Sequence, residues 1–379
     1  MSESTTGGRT GSADHLDRAR KAAPVVREAA AATEAQGRLT DDVVKALSDN
    51  QLFWLSTAAE LGGGDATTVQ VMEVIEEISA ADASTGWSLM VNIDLTGLVS
   101  AHCDDTALAA LYADGKPVLA GSLARPGAVT LTESSAGLRL SGEWQFASGS
   151  DHASWFLAGA QRGDQAVSVL VAREHVQLAG NWSVMGLRGT GSQDFRVVDH
   201  EVRPEMILDP LALPRRGPAM YRINVLDLGP VMHAGIALGI GRRAFEELHS
   251  TVRADAGKPG KVPLTEQTHF MYEFVRQEAA FQAARAFCFA LAAEAQEVVE
   301  RGEDVSALLV ARLYQATAHA TGIARDAVEF AYSWYGSRAL REPSELAKLL
   351  RDVHGVTQHM IVGPPAVLSA AGPVFRSYA

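Results

Sequence analysis

Three short segments hold the residue types that could do chemistry. The first is Leu140-Ser-Gly-Glu-Trp-Gln-Phe-Ala-Ser-Gly-Ser-Asp-His-Ala-Ser-Trp155, an alternating stretch that runs into small hydroxyl residues and glycine. Its backbone N–H groups and serine hydroxyls are available to a flat polar ligand, although serine-rich hairpin turns share this composition. The second is Asn181-Trp-Ser-Val-Met-Gly-Leu-Arg-Gly-Thr-Gly-Ser-Gln-Asp-Phe195, whose glycines and Arg188 could hold an anion or a ring edge. The third is Leu349-Leu-Arg-Asp-Val-His-Gly-Val-Thr-Gln-His-Met360. Its His354 and His359 are five apart, too far round a helix to share one face well. A histidine titrates near neutrality and can hold or release a proton there.

Other chemistries lack their residues. No Gly-x-Gly-x-x-Gly follows a predicted strand, and no Gly-x-x-x-x-Gly-Lys-Ser/Thr occurs, which disfavours Rossmann-type and P-loop nucleotide binding. There is no His-Glu-x-x-His and no ligand spacing among the histidines and carboxylates, so no metal site is expected. Gly-x-Ser-x-Gly is absent too. The 33 Lys+Arg against 45 Asp+Glu give a net charge of −12, which argues against nucleic acid as a partner. The two cysteines, Cys103 and Cys288, form no CxxC and suit a reducing compartment. No apolar run suggests a secretory signal or a membrane span, so the expected location is cytoplasmic.

The elements that must position these segments fall into three blocks. Residues 1–13 are rich in Ser, Thr and Gly and read as disordered. Leu39, Val43 and Leu47, then Val71, Val74, Ile75 and Ile78, recur at helical spacing, with Leu61-Gly-Gly-Gly-Asp65 breaking the helix between them. Residues 1–117 therefore read as a helical domain. The period then becomes two, with strands predicted at 128–133, 137–145, 154–160, 166–172 and 193–202, so that 118–210 is a small antiparallel β domain. Helix returns in 211–379. Phe274, Phe281, Cys288 and Ala295, then Leu309, Leu313, Ala316, Ala320, Ile323, Ala327, Phe330 and Trp334, form the seams of a long antiparallel bundle that turns at Gly302-Glu303-Asp304.

Taken in order, the segments resemble the acyl-CoA dehydrogenase superfamily. Leu61-Gly-Gly-Gly64 is similar to that family's Pro-x-x-x-Gly-Gly turn, and 79–87 (SAADASTGW) to the helix that follows it. The stretch 141–155 is similar to the β-domain strand that continues Trp-Ile-Thr-Asn. Met185-Gly-Leu-Arg-Gly-Thr-Gly-Ser192, through Val202-Arg-Pro204, resembles the Gly-x-Arg-Gly-Ser/Thr stretch and its Val-Pro ending. Val252-Arg253 resembles the arginine that approaches the flavin phosphates of a neighbouring subunit, and Arg351-Asp352 the late Arg-Asp. The resemblance implies an α+β fold, with an N-terminal helical domain, a middle antiparallel β-barrel-like domain and a C-terminal four-helix bundle. It also implies a homo-oligomer, tetramer or dimer.

The departures point to a branch. Trp-Ile-Thr is replaced by Phe146-Ala147-Ser148, and the Thr-Glu-Pro-Gly flavin loop by Ala124-Arg125-Pro126-Gly127. The position of the usual glutamate base holds Met360, preceded by His359, and no carboxylate side chain follows Asp352. These features resemble the flavin monooxygenases of the scaffold. Such enzymes take reduced FMN or FAD from a separate reductase, form a C4a-hydroperoxyflavin and hydroxylate an aromatic ring or an amine. By that resemblance Ser148 stands near flavin N5 and His359 on the peroxide side. Phe146, Ser150, Arg188, Arg253 and Ala124 fall to the cofactor, and Met185, Leu187 and Trp182 can wall the ring. Phenol hydroxylases of the branch carry a histidine after Ser/Thr-Gly-Trp. Asn92 and Asp94 occupy that neighbourhood here, and with His152 and Trp182 are candidates for a small aromatic, polyketide-like or amine substrate. Two other functions compete. One is an FAD-dependent acyl-CoA dehydrogenase-like dehydrogenase or oxidase with its base at Glu246 or Glu247; the other is a non-redox member of the scaffold.

Overall fold

The computed structural model describes residues 10–123, 129–134, 137–255 and 262–378. Five helices come first: α1 (Thr10–Gln36), α2 (Asp41–Asp49), α3 (Thr68–Ala81), α4 (Ala83–His102) and α5 (Asp105–Leu111). The helix α1 begins inside the stretch expected to be disordered; residues 1–9 lie outside the described residues. Side-chain caps start the next four. Thr40, Asp82 and Asp104 each accept from the N–H three residues on, and Thr67 forms a reciprocal capping box with Gln70. The cap at Asp82 divides the segment 79–87, which the sequence presents as one helix. Asp82 is extended (φ −158°, ψ 122°) and its carboxylate takes the Thr85 N–H, so α3 ends and α4 starts in a new direction.

Among the described residues eight strands follow: β1 (Leu119–Ser122), β2 (Thr130–Ser134), β3 (Gly137–Ala147), β4 (Trp155–Arg162), β5 (Gln165–Ala172), β6 (Gln177–Leu178), β7 (Gln193–Val202) and β8 (Ile207–Leu208). They form two four-stranded sheets, ordered β1-β4-β5-β8 and β2-β3-β7-β6. Trp144 joins the sheets. It stacks on Phe195 with centroids 4.9 Å apart, and its indole N–H donates to Gly159 O at 2.8 Å. The expected antiparallel pairing holds everywhere except between β1 and β4, which run parallel. The chain crosses to the other sheet through β2 and β3 between them, so β4 returns in the direction of β1.

Five helices complete the chain: α6 (Val225–Asp255), α7 (Thr268–Glu300), α8 (Ala307–Tyr335), α9 (Glu345–Val356) and α10 (Pro364–Arg376). The class is the α+β arrangement that the period changes predict. In the two long seams Phe281, Cys288, Leu291 and Ala295 face Leu309, Leu313, Ala316 and Ala320 as buried residues. The helix α6 is the central one, and every residue from Leu228 to Gly241 is buried. It touches α3 very closely: a Cβ on Gly239 would lie 2.5 Å from Glu76 O, so only glycine fits.

Candidate active site

The three chemical segments meet at α4. Trp87 on α4 is the common contact. Its indole N–H donates to Ser148 Oγ at 3.0 Å, while its ring meets His233 and His359 edge-on at 5.2 Å and 5.4 Å. The β domain supplies one wall of the site, and the start of α6 with the turn after α9 supplies the other.

On the β-domain side, hydroxyls form a relay whose direction the acceptors fix. Thr190 donates to Leu187 O at 2.9 Å, so Ser192 must donate to Thr190 at 2.6 Å, and Ser148 to Ser192 at 2.7 Å. With Trp87 donating to it as well, Ser148 keeps one free lone pair and no free proton. Beside Ser148 lies an apolar surface. Phe146 is 65% exposed and meets Trp182 edge-on, and Met185 is 62% exposed. Phe146 also has φ +63°, in the left-handed region that a bulky residue avoids unless a site holds it there.

On the helical side, His359 and His233 stack at 4.2 Å. The His233 Nδ1–H donates to Gly229 O at 2.9 Å, which leaves Nε2 as a bare acceptor, buried and without a partner. The Ile361 N–H approaches His359 Nδ1 at 3.4 Å, so the His359 proton belongs on Nε2. Burial pushes His359 down to about 4, and burial together with its neighbour His359 pushes His233 well below the usual imidazole range. Both rings are therefore neutral at pH 7, one offering an N–H and the other a lone pair.

A buried charge cluster ties the walls together. Lys348 on α9 donates to Asp82 and to Asp352, each at 2.6 Å. Asp82 caps α4, which carries Trp87, and takes Thr85 N–H and O–H besides. Asp352 takes the Leu187 N–H at 2.6 Å, at the root of the loop that leads to Thr190 and Ser192. Burial opposes the Lys348 charge, but the two carboxylates outweigh it and hold the ammonium above its ordinary pKa. Burial pushes the Asp352 carboxyl up against the pull of Lys348. Close packing seals the joint, because a Cβ on Gly186 would sit 1.9 Å from Arg351 O.

The other predicted residues are distributed unevenly. Asn92 and His152 are not together in an open site. Asn92 turns toward the β domain, giving its amide to Leu119 O at 2.7 Å and accepting from His152 Nε2 at 2.9 Å. Burial lowers His152 to about 4, so this pair is a neutral strut between α4 and the β domain. Ser150 is fully buried, with its hydroxyl on Gly191 O at 2.9 Å, and so stands behind the wall. Trp182 gives its N–H to Leu187 O at 3.3 Å. Arg188 is exposed at the loop. Ala124 lies outside the described residues. Arg253 is exposed in the last turn of α6, 20 residues and about 30 Å along that helix from His233. Glu246 and Glu247 are some 20 Å from His233 on the same helix and pair with Arg242 and Arg243, which removes both as a base at this site. Asp94 lies on the Trp87 side of α4.

Sequence reasoning missed His233, Lys348 with Asp82, and the Thr190–Ser192 relay. The spacing of Lys348 and Asp352 and the Asp82-x-x-Thr85 cap were visible signals; a lone histidine in the apolar run of α6 was a weak one. Among the described residues no cluster of His, Cys, Asp or Glu could hold a metal ion, and no helix is long and apolar enough to cross a membrane. Two surface clefts, one along Trp155, His175 and His200 and one along 214–222, contain none of the predicted site residues.

Two helical caps on a two-sheet middle, with an indole gathering both walls, define an acyl-CoA dehydrogenase type of scaffold. Residues 16–107 match the family model for the acyl-CoA dehydrogenase N-terminal domain, and 231–364 match that for its C-terminal domain. Indole-3-acetate monooxygenase of Pseudomonas putida is 26% identical over 346 residues, 90% of this chain and 88% of the relative. The flavin-dependent monooxygenase oxygenase subunit HsaA of Rhodococcus jostii (strain RHA1) is 27% identical over 366 residues, 90% of this chain and 92% of the relative. The structure of XiaF from Streptomyces sp. shares the fold, with a TM-score of 0.88 at 22% identity over 96% of each chain. The chain belongs to the acyl-CoA dehydrogenase superfamily, in its branch of flavin-dependent monooxygenases.

Proposed function

We propose that the protein is the oxygenase of a two-component system. It takes reduced FMN or FAD from a partner reductase and uses O2 to hydroxylate an aromatic substrate by way of a C4a-hydroperoxyflavin. The observation that carries this is Trp87, which bonds Ser148 on one wall and contacts His233 and His359 on the other, with no carboxylate beside His359.

The residues present fit a flavin. Phe146, Trp182 and Met185 give a flat ring an apolar face beside Ser148, and the exposed left-handed Phe146 needs such a cover. The XiaF structure is a complex with FADH2. When bound, reduced flavin supplies the two electrons that activate O2. The Ser148 lone pair, held in direction by Ser192 and Trp87, would accept a hydrogen bond from a flavin ring N–H. The His359 Nε2–H would be available to donate to oxygen at a bound flavin, and its low pKa keeps that imidazole neutral. The apolar surroundings and the stacked His233 exclude water that would release the oxygen as peroxide.

Arg253, Arg188 and the 124–127 loop belong to the same reading as phosphate-side and loop residues. Because Arg253 is remote from His233 within one chain, its assignment requires a second copy. The exposed Leu368, Phe375 and Tyr378 of the C-terminal segment, 73%, 83% and 82% exposed, suit such an assembly. The free, buried Cys103 and Cys288 accord with a cytoplasmic setting.

The test mixes purified protein with chemically reduced FMN or FAD, air and an aromatic such as indole. Hydroxylated product that depends on reduced flavin is expected. Reduction of tightly held oxidised flavin by substrate alone, without air, would make the protein a dehydrogenase instead.

A further inference from the structure

Helix α4 is buried along its whole length except at two residues, Val91 and Asp94. With Trp87 and Leu98 they fall within about 60° of one another on a helical wheel. The single place where space reaches α4 therefore continues from Trp87, on the face turned toward α6. The turn after α9 closes its far end, where Ile361 packs so tightly on Gly229 that a Cβ there would be 2.6 Å from Ile361 Cδ1.

Asp94 is out of place in that setting. Its Oδ1 is buried and has no hydrogen-bond partner. The neighbouring Tyr221 hydroxyl bonds Ser56 Oγ at 2.7 Å and approaches the Asp94 backbone carbonyl at 3.4 Å, not the carboxylate. Among the described residues no cation, cap or strut explains the side chain. The buried carboxylates near the site, Asp82 and Asp352, are by contrast fully engaged. An unpaired buried carboxyl is costly and persists where a ligand completes it.

We infer that Asp94 is the substrate-recognition and proton-accepting residue of this site, and that the substrate is a fused-ring aromatic bearing a ring N–H or O–H donor. Asp94 is seven residues from Trp87, about 10 Å along the axis, so a flat fused ring reaches from the carboxyl to the Trp87–His359 end. This rests on the monooxygenase reading and assigns its missing substrate-side group. The substrate's N–H or O–H proton passes to the Asp94 carboxylate, and the freed electron pair moves through the ring to the carbon that takes one oxygen atom of O2. The other oxygen leaves as water with the two electrons of the reduced flavin. Loss of the ring C–H proton restores aromaticity, and Asp94 returns its proton to the heteroatom. Burial pushes the carboxyl up to about 7, which makes it a stronger base than an ordinary carboxylate while leaving about half of it ionised near neutral pH.

The test is anaerobic binding to the full-length protein, with and without reduced FMN, of matched pairs: indole against 1-benzothiophene, and 2-naphthol against 2-methylnaphthalene. At least tenfold preference for the donor-bearing member of one pair is expected, and the pair that shows it distinguishes N–H from O–H. Asp94→Leu reduces the preference to within twofold. Asp94→Asn keeps the preference, because its carbonyl still accepts, but loses turnover in air by about a hundredfold. Asp94→Leu melts at or above the parent temperature, since an unpartnered carboxyl is gone, and Asp94→Asn melts near it. No preference in the parent protein, an undiminished one in Asp94→Leu, or normal turnover in Asp94→Asn overturns the assignment. Protein that ignores reduced flavin yet prefers the donor-bearing ligand sinks the monooxygenase reading and leaves Asp94 as the recognition residue.

Discussion

The two walls of the site differ in how their polar atoms are satisfied. On the β-domain wall, Trp87 N–H, Ser148, Ser192, Thr190 and Leu187 O form one directed chain with no donor left over. On the helical side, His233 Nε2 on α6 and Asp94 Oδ1 on α4 are buried with nothing to bond among the described residues. A saturated network fixes position and an unsaturated one marks where a ligand goes. In the proposed function the β-domain wall frames a cofactor edge, and substrate and oxygen meet the helical side. The Lys348 cluster holds the two at fixed separation, since its three carboxylate and ammonium groups anchor α4, α9 and the 187 loop together.

Removing that anchor has the largest expected effect. Lys348→Met leaves Asp82 and Asp352 buried and unpaired, and should cost about 3–5 kcal/mol in denaturant unfolding. A loss under 1 kcal/mol would show that the walls are held by packing alone. Acid should follow. His233 and His359 are buried neutral, with folded pKa values below the unfolded value of about 6.5. The unfolded chain takes protons first, so their contribution is intact above that pH and is lost as pH falls toward about 4, by on the order of 2 kcal/mol. Asp94, with its carboxyl raised to about 7, pulls the other way over the same window, so the contribution is read in Asp94→Leu, where a melting temperature flat between those values would contradict neutral imidazoles.

The third break is on the helical wall alone. His359→Ala should lower hydroxylation about a hundredfold and raise hydrogen peroxide release, with little change in melting temperature; unchanged coupling would remove His359 from the chemistry. The smallest effect belongs to the frame. Trp87→Phe deletes one donor to Ser148 and should cost about 1 kcal/mol, read as weaker reduced-flavin binding by fluorescence quenching.

The contrast also explains what was legible in the sequence. Ser148 and His359 stand in linear motifs, and the structure brings both onto Trp87. The long seams announced α7 and α8 because a 3–4 alternation has one structural meaning. Asn92 and Asp94 sit two apart, and spacing alone did not say which one faces the ligand. The helix turns them about 200° apart, sending Asn92 to Leu119 and leaving Asp94 on the Trp87 face. Ser150 and His152 follow Ser148 closely in sequence, yet the chain turns both inward. Lys348 and Asp82 are 266 positions apart, and only the fold brings them together. The parallel β1–β4 pair depends on a crossover that no local pattern records.

The central claim is that this pocket inserts one atom of O2 into an aromatic ring. Mass spectrometry of the product formed under 18O2, with reduced flavin supplied and indole as substrate, reads that claim directly. The account predicts one labelled oxygen per product molecule, and about a hundredfold less product when Asp94 is replaced by Asn. Unlabelled product, with its oxygen drawn from water, would contradict it.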